Sequence, residues 1–413
     1  VAEKEVLDPV LEKEVQRQLE HLRFGGVEIT PEDEFVSMLR YSIKNKKPLR
    51  IKCGIDPTGF DVHLGHTVPF RKMRQFQDLG HVGVVIIGDY TACIGDPSGK
   101  NESRNALSVE QVKENAKRYM EQVHTILNPD KTEICFQSEW FSSVTLRDII
   151  EWAGQTTVAK LLSHETFKER LDKGFSLSLH ELFYPVLQGM DSVFVKADVE
   201  LGGQDQKFNV LMGRDYQRHR DMRPQVAMLT PIITGMCGTQ KMSKSLGNYI
   251  AILDQAFDKF GKIMSIPDAL MPEYYKLLTF LGPVKCAEIE LGLKNGTLHP
   301  NEAKKQLAQN IVEQFHGKDV ALEMRQKFES VFKKGEAPED TQVFQFKPGQ
   351  KLIDALFDSG LVESKSEIRR LAKQGAVSVM GGEKIEDVDG ALNDSFHDKI
   401  IKVGKRKFLK LSK

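Results

Sequence analysis

The chain has 413 residues, 40% of them hydrophobic and 28% charged, with 58 Lys and Arg balanced by 58 Asp and Glu. At roughly 100–200 residues per domain it makes two or three domains with sizeable cores, which excludes a long disordered tail or a fibrous protein. No run of about 18 apolar residues occurs, so no bilayer-spanning helix is expected. The neutral balance argues against a surface coated in lysine and leaves local patches open.

The acidic segment Val1–Leu11 has no apolar core, so it reads as neither a secretory signal nor an Arg-rich transit peptide. The first forty residues read as helical, with Thr30 as a cap before Pro31 and Glu32. Leu49–Ile55 alternates like a strand and is broken by Asp56-Pro57-Thr58-Gly59. A helix is expected over His63 to Leu79, with Pro69 near enough to its start to be tolerated. Val84–Ile87 is a continuous apolar run, the mark of a strand covered on both faces. Ser108 and Gln111 form a capping box for a helix whose apolar positions are Val109, Val112, Ala116, Tyr119, Val123 and Ile126. Ile134–Phe136 is a further short strand. This alternation predicts an α/β domain with a parallel sheet.

From Asp254 to about Glu339 helical patterns dominate, and Lys333–Pro348 reads as a linker. Ser364 and Glu367 then cap a helix with Ile368 and Leu371 inward and Arg369, Arg370 and Lys373 on other faces. Val377 and Val379 alternate, Gly381-Gly382 makes a turn, and Ile400–Leu411 reads as a basic hairpin. The five cysteines, Cys53, Cys93, Cys135, Cys237 and Cys286, show neither CxxC pairs nor zinc-finger spacing. Scattered thiols suit a reducing compartment, so a cytoplasmic location is expected, with an organelle as the alternative.

Three loop motifs carry chemistry. His63-Leu64-Gly65-His66 follows a strand and a turn and opens a helix, where unpaired N–H groups and a partial positive charge favour phosphate. Gly65 permits close backbone approach, and the imidazoles can donate to phosphate oxygens. A lone His-x-x-His is otherwise an ordinary surface pair, and zinc would require further ligands. Lys241-Met242-Ser243-Lys244-Ser245 lies between Gly235, Gly238 and Gly247, so two ammonium groups can swing onto a polyphosphate and withdraw. A lysine pair alone is usually a solvated charge run; the specific order sets this one apart. Gly95-Asp96-Pro97-Ser98-Gly99-Lys100 is not a P-loop, because one spacer is missing and Asn101 replaces the Ser/Thr that would hold magnesium. No GxGxxG follows a strand, so a nicotinamide or flavin enzyme has no support.

The first two motifs resemble the paired HIGH and KMSKS motifs of class I aminoacyl-tRNA synthetases. Cys53–Thr58, the Gly95–Lys100 loop, Tyr184–Asp191 and Gly202–Gln206 further resemble the bacterial-type tyrosyl-tRNA synthetase family, and Leu352 to about Val403 resembles its S4 RNA-binding unit. The resemblance implies a Rossmann-like, doubly wound parallel-sheet catalytic domain over 1–250 with an N-terminal helical extension. A helical anticodon-binding domain over 251–340 and a small α+β S4-like domain over 349–413 would follow. It implies tyrosyl-adenylate formation from L-tyrosine and ATP, with Mg²⁺ on the pyrophosphate, no tightly bound metal or organic cofactor, and then transfer to tRNA(Tyr) by a homodimer away from any membrane.

By that pattern His63, His66, Lys241, Lys244 and Thr58 serve catalysis. Asp56, Gly65, Gly203, Asp205, Ser243 and Lys244 bind ATP, with Gly203 and Asp205 at the ribose. Asp96, Tyr184, Gln188 and Gln206 grip the substrate ammonium, and Asp191 accepts from the phenol. Arg369, Arg370, Lys373, Lys405, Arg406 and Lys407 would face RNA. In one departure, Lys52 stands where some members place a tyrosine that helps bind the phenol, so phenol recognition rests more on Asp191 or on another group. A tryptophanyl-tRNA synthetase shares the two signatures but normally lacks the S4 unit. An RNA-binding, intron-folding protein on a synthetase scaffold is the reading from another class, against which the intact His63, His66, Lys241 and Lys244 weigh. The balance of charge hides a local patch: the stretch from Lys399 to Lys413 holds Lys399, Lys402, Lys405, Arg406, Lys407, Lys410 and Lys413 and no acidic residue. Phosphate binding needs only such a patch.

Overall fold

The computed structural model describes residues 8–57, 59, 62–97, 109–333, 341–380, 382–404 and 407–413. These form two compact units, one of residues 1–254 with 266–307 and one of residues 255–265 with 308–413.

The first unit is built on a six-stranded sheet. Its strands are β1 (Glu28–Thr30), β2 (Arg50–Ile55), β3 (Val82–Ile87), β4 (Thr132–Phe136), β5 (Val199–Gly203) and β6 (Val226–Thr230), in the order β1-β6-β5-β2-β3-β4. From β6 to β4 the pairing is parallel. The chain winds outward from β2 through β3 to β4, then restarts beside β2 with β5 and runs the other way. The parallel sheet is the one the alternation predicts and its doubly wound topology the one the resemblance implies, with the switch point between β2 and β5. Val84, Val85, Ile86 and Ile87 on β3 are all buried. Each such side chain contributes about 1.5–3 kcal/mol on burial, which explains the absence of polar alternation.

Two differences from expectation occur near the start. The first forty residues are not wholly helical, because β1 runs antiparallel to β6 between the helices Pro9–Arg23 and Glu32–Asn45. Three residues are too few to reveal a period. Pro31 rather than Thr30 takes the N-cap position; Thr30 closes β1, and its hydroxyl donates to Glu28 at 3.3 Å. The helix Leu64–Asp78 continues through Pro69 as expected. The helix Val109–Val123 is present, while its expected cap Ser108 lies outside the described residues.

The second unit contains the helices Ala256–Met264 and Lys318–Lys333 and a four-stranded sheet. That sheet comprises β7 (Gln342–Gln345), β8 (Val377–Val379), β9 (Ile400–Val403) and β10 (Lys407–Ser412), in the order β7-β10-β9-β8. Its core joins Leu352, Ile353 and Leu356 to Ile368, Val377, Ile401, Leu409 and Leu411. Ser364 caps the helix Lys365–Lys373 by accepting from the Glu367 N–H at 3.2 Å. β9 and β10 form the expected antiparallel hairpin. The stretch expected to be a linker contains β7, which pairs in parallel with β10. It is a largely exposed edge strand, so it lacks the apolar signal that marks a strand in sequence. Gly381, in the expected turn, lies outside the described residues.

Candidate active site at the sheet switch point

The carboxyl ends of β2 and β5 open into a cleft of about 780 Å³, where ligands bind in doubly wound sheets. Asp56, His63, Gly65, His66, Asp96, Tyr184, Gln188, Asp191, Gly203, Asp205, Gln206, Lys241, Ser243 and Lys244 all line it. These residues come from widely separated stretches of chain, and the fold brings them to one surface. Thr58 lies outside the described residues.

On the rim, His63 is the N-cap of the helix Leu64–Asp78. The two imidazoles stack with centroids 3.6 Å apart, and the His63 backbone N–H donates to His66 Nδ1 at 3.4 Å. That bond leaves Nε2 of His66 to carry the proton. Burial holds His63 down at about 4, helped by the nearby Lys244 charge, and burial likewise holds His66 well below the usual histidine value. Both rings are therefore neutral near pH 7 and act as dipolar donors. A side chain on Gly65 would stand 3.0 Å from the His63 ring, so glycine here makes room for the imidazole. Among the described residues no group of three or more His, Cys, Asp and Glu is placed to hold a metal ion.

The lysine-bearing loop is tied to the same helix start. Leu64 N–H donates to Ile250 O at 2.9 Å, and Ile252 N–H donates to Val62 O at 2.8 Å. On the incoming side, Met242 is buried and its N–H donates to Ile233 O at 3.0 Å. Asn248 spans the loop: its Oδ1 accepts from Ser243 N–H at 2.9 Å, and its Nδ2 donates to Lys241 O at 3.1 Å. Gly235 is required beneath it, since a Cβ there would lie 2.5 Å from Asn248 Cγ. Lys241 Nζ stands 3.8 Å from Asp205 Oδ2 with its side chain 47% exposed. Lys244 Nζ lies 3.7 Å from where a Cβ on Gly59 would be. Asp205 is shifted upward by burial, which the Lys241 charge opposes.

The floor is drier. Tyr184 Oη donates to Asp56 Oδ2 at 2.9 Å, and Thr91 Oγ1 donates to Asp56 Oδ1 at 2.6 Å. Burial and the neighbouring carboxylates raise Tyr184 well above the normal phenol range, so it stays a donor. Gln206 is fixed at both ends, donating to Asp96 Oδ2 at 2.6 Å and accepting from Asn209 Nδ2 at 3.0 Å. Asp191 is buried; its Oδ2 accepts from Gln137 Nε2 at 2.7 Å and its Oδ1 from Trp140 Nε1 at 3.2 Å. Burial pushes Asp191 up to about 7, against the Lys52 charge and the Gln137 bond.

Sequence reasoning missed Gln137, Trp140 and Glu200. Gln137 and Trp140 sit beyond β4 in a stretch with no motif, and only the tertiary fold turns them onto Asp191. Lys52 is fully buried against Glu200 at 2.9 Å and is not among the cleft-lining residues. The charged surface expected in the second unit is partly self-neutralised. Arg369 donates to Asp389 through two nitrogens at 3.1 and 2.8 Å, Lys410 pairs with Asp398 at 3.1 Å, and Lys413 pairs with Asp394 at 2.6 Å. Arg370, Lys373 and Lys407 are exposed, while Lys405 and Arg406 lie outside the described residues.

Comparison with known proteins follows the same lines. The family described as tRNA synthetases class I (W and Y) matches residues 44–333. A tyrosine–tRNA ligase of Carboxydothermus hydrogenoformans is 48% identical over 96% of this chain and 98% of its own length. One from Desulfotalea psychrophila is 47% identical, again over 96% and 98%. Among solved structures, a C-terminally truncated mitochondrial tyrosyl-tRNA synthetase of Aspergillus nidulans superposes with a TM-score of 0.63 at 20% identity. It covers 79% of this chain and 100% of that one, a likeness of fold.

Proposed function

The chain belongs to the class I tRNA synthetases and acts as a tyrosine–tRNA ligase, and we propose that the switch-point cleft carries out its chemistry with the residues described above. L-tyrosine reacts with ATP to give tyrosyl-adenylate and pyrophosphate, and the tyrosyl group passes to the 3'-terminal ribose of tRNA(Tyr). The attacking carboxylate is already ionised, so the protein needs to supply no general base. It supplies position, and donors for charge that grows on the phosphates.

In this reading His63, His66, Lys241 and Lys244 stabilise the phosphates, with Thr58 joining them, and ATP arrives with its own Mg²⁺. Gly203 and Asp205 hold the ribose, while Asp56, Gly65 and Ser243 complete the nucleotide side. Asp96, Tyr184, Gln188 and Gln206 take the substrate ammonium, and Asp191 takes the phenol hydroxyl. The observation that carries the assignment is that one cleft joins a buried carboxylate at its floor to two neutral histidines and two lysines at its rim. Tyrosine-dependent exchange between ATP and pyrophosphate, with tryptophan as control, is the test. Exchange with tryptophan alone, or with neither amino acid, overturns it, and the latter result leaves the RNA-binding reading in front.

We propose further that helices within 251–340 contact the anticodon region and that residues 349–413 bind RNA through Arg370, Lys373, Lys405, Arg406 and Lys407, with Arg369 held toward Asp389. Replacing Arg370, Lys373 and Lys407 by alanine should weaken tRNA charging, flatten its salt dependence and leave pyrophosphate exchange unchanged. A cytoplasmic homodimer fits this reading. Leu146, Ile150 and Val158 are 75, 64 and 63% exposed, and an apolar surface of that kind suits a partner subunit. Sedimentation of Ile150→Glu against the native chain tests the dimer.

A further inference from the structure

Behind the cleft floor lies a polar cluster that the reaction leaves unused. Lys52 on β2 and Glu200 on β5 stand opposite each other in register on the two central parallel strands, with side chains 0% and 1% exposed. Lys52 Nζ donates to Gln188 O at 2.8 Å and to Ser192 Oγ at 2.7 Å, in addition to facing Glu200 Oε1 at 2.9 Å. Its three protons are thereby matched by three acceptors. Glu200 is used as fully. Oε1 also accepts from Gln188 Nε2 at 3.1 Å, while Oε2 accepts from Ser192 Oγ at 3.0 Å and from Gln225 Nε2. Burying two charges is costly unless each is paired and hydrogen-bonded throughout, and here both conditions are met.

The consequence falls on Gln188. An amide has a donating end and an accepting end. With Nε2 committed to Glu200, the carbonyl oxygen Oε1 is the end available to a ligand in the cleft, and an oxygen there attracts a cation. We propose that Glu200 and Lys52 are positioning residues for amino-acid recognition: Glu200 fixes the Gln188 amide with its oxygen toward the substrate ammonium, and Lys52 supplies the counter-charge and grips the Gln188–Ser192 turn of the helix. The proposal rests on the reading that Gln188 contacts the ammonium. Lys52, the departure noted in sequence, then acts behind Gln188 rather than at the phenol.

Glu200→Gln keeps the shape of the side chain and reverses the logic. With Lys52→Met beside it, no ammonium holds the new amide's oxygen toward Gln188, while Ser192 and Gln225 still donate to the other end; the new nitrogen then faces Gln188, whose amide turns to accept from it and presents N–H groups to the substrate ammonium. The measurement is the affinity for tyrosine beside that for 3-(4-hydroxyphenyl)propionate, which lacks only the ammonium. In the double variant Lys52→Met with Glu200→Gln, tyrosine should bind about 10- to 100-fold more weakly, the range for a lost hydrogen bond to a charged group, while the analogue binds as before. That double variant is charge-free at the pair and leaves no buried cation stranded. Equal weakening of both ligands in the double variant would mean a merely structural role and overturn the proposal, as would no weakening of either. Gln188→Ala separates this from the underlying assignment. If that variant still prefers tyrosine over the analogue as the native protein does, Gln188 does not read the ammonium. If it loses the preference while the double variant keeps it, the positioning role alone is wrong.

Discussion

At the floor of the cleft Asp191 is 3% exposed and both its oxygens already accept from Gln137 and Trp140, whereas at the rim Lys241 is 47% exposed with its carboxylate neighbour at 3.8 Å. The two regions use charge differently. A desolvated carboxylate must be held by fixed donors or it neutralises, and that same holding would make it a rigid gauge for the phenol under the proposed assignment. A hydrated ammonium on a loop stays charged at little cost and can move onto phosphate as negative charge grows there. In the proposed reading the amino acid would thus be selected by geometry at the floor, and the rate would be set by cations delivered from the rim.

Removing rim charge should therefore cost rate, and removing floor charge should cost selectivity. Lys241→Ala and Lys244→Ala should each lower kcat for pyrophosphate exchange about 10²–10³-fold, the scale of one lost transition-state donor, with the KM for tyrosine little changed. A large rise in that KM would erase the division between rim and floor. Asp191→Ala should weaken tyrosine about 10- to 100-fold through the lost hydrogen bond to a charged group and should lose discrimination against phenylalanine. A site built around a buried hydroxyl partner rejects the analogue without the hydroxyl, and tyrosyl-tRNA synthetases are themselves the established example. Unchanged selectivity in Asp191→Ala would sink the role given to Asp191.

The sequence reveals the rim more fully than the floor, for a physical reason. His63 and His66 sit at a helix start, and Lys241 to Ser245 sit on one loop, so each motif is local and its spacing is visible. The strand and helix order of the first unit is legible for the same reason, through apolar runs such as Val84–Ile87. The floor is a tertiary object. Gln137 and Trp140 meet Asp191 across more than fifty positions of chain. Leu49–Ile55 shows alternation, which ordinarily puts polar residues in water, yet Lys52 is fully buried because helices cover both faces of the sheet and Glu200 awaits it. Edge strands β1 and β7 are short or exposed, and neither burial nor period marks them.

Proton activity offers a smaller perturbation of the same contrast. Burial holds Asp191 near 7, so the carboxylate that would accept from the phenol is lost as pH falls through 7 and is fully present above about 8. Lys52, opposing that burial, and Glu200, adding to it, are the charged groups that act on Asp191. The value of kcat/KM for tyrosine should fall up to about tenfold per pH unit below 7. His63 at about 4 and His66, which burial holds well below the usual histidine value, stay neutral across this range and contribute no inflection. Asp191→Asn should abolish the dependence; its persistence would assign the titration to another group.

The mildest test concerns how firmly the rim loop is held. Asn248 bonds the loop at Ser243 N–H and Lys241 O and also donates to Cys237 Sγ at 3.2 Å, so Asn248→Ala removes three hydrogen bonds, each contributing about 0.5–1.5 kcal/mol. Both lysines remain, and the loop keeps its ties at Met242 and Ile250. The cations should then be in register with the phosphates for less of the time, lowering kcat about tenfold or less while the KM for tyrosine stays at its native value. If Asn248→Ala were as damaging as Lys241→Ala, the loop would work as a rigid template like the floor, and the contrast between a fixed gauge and a mobile charge would fail. If it had no effect, the bonds at Ile233 and Ile250 alone would suffice to aim the two ammonium groups.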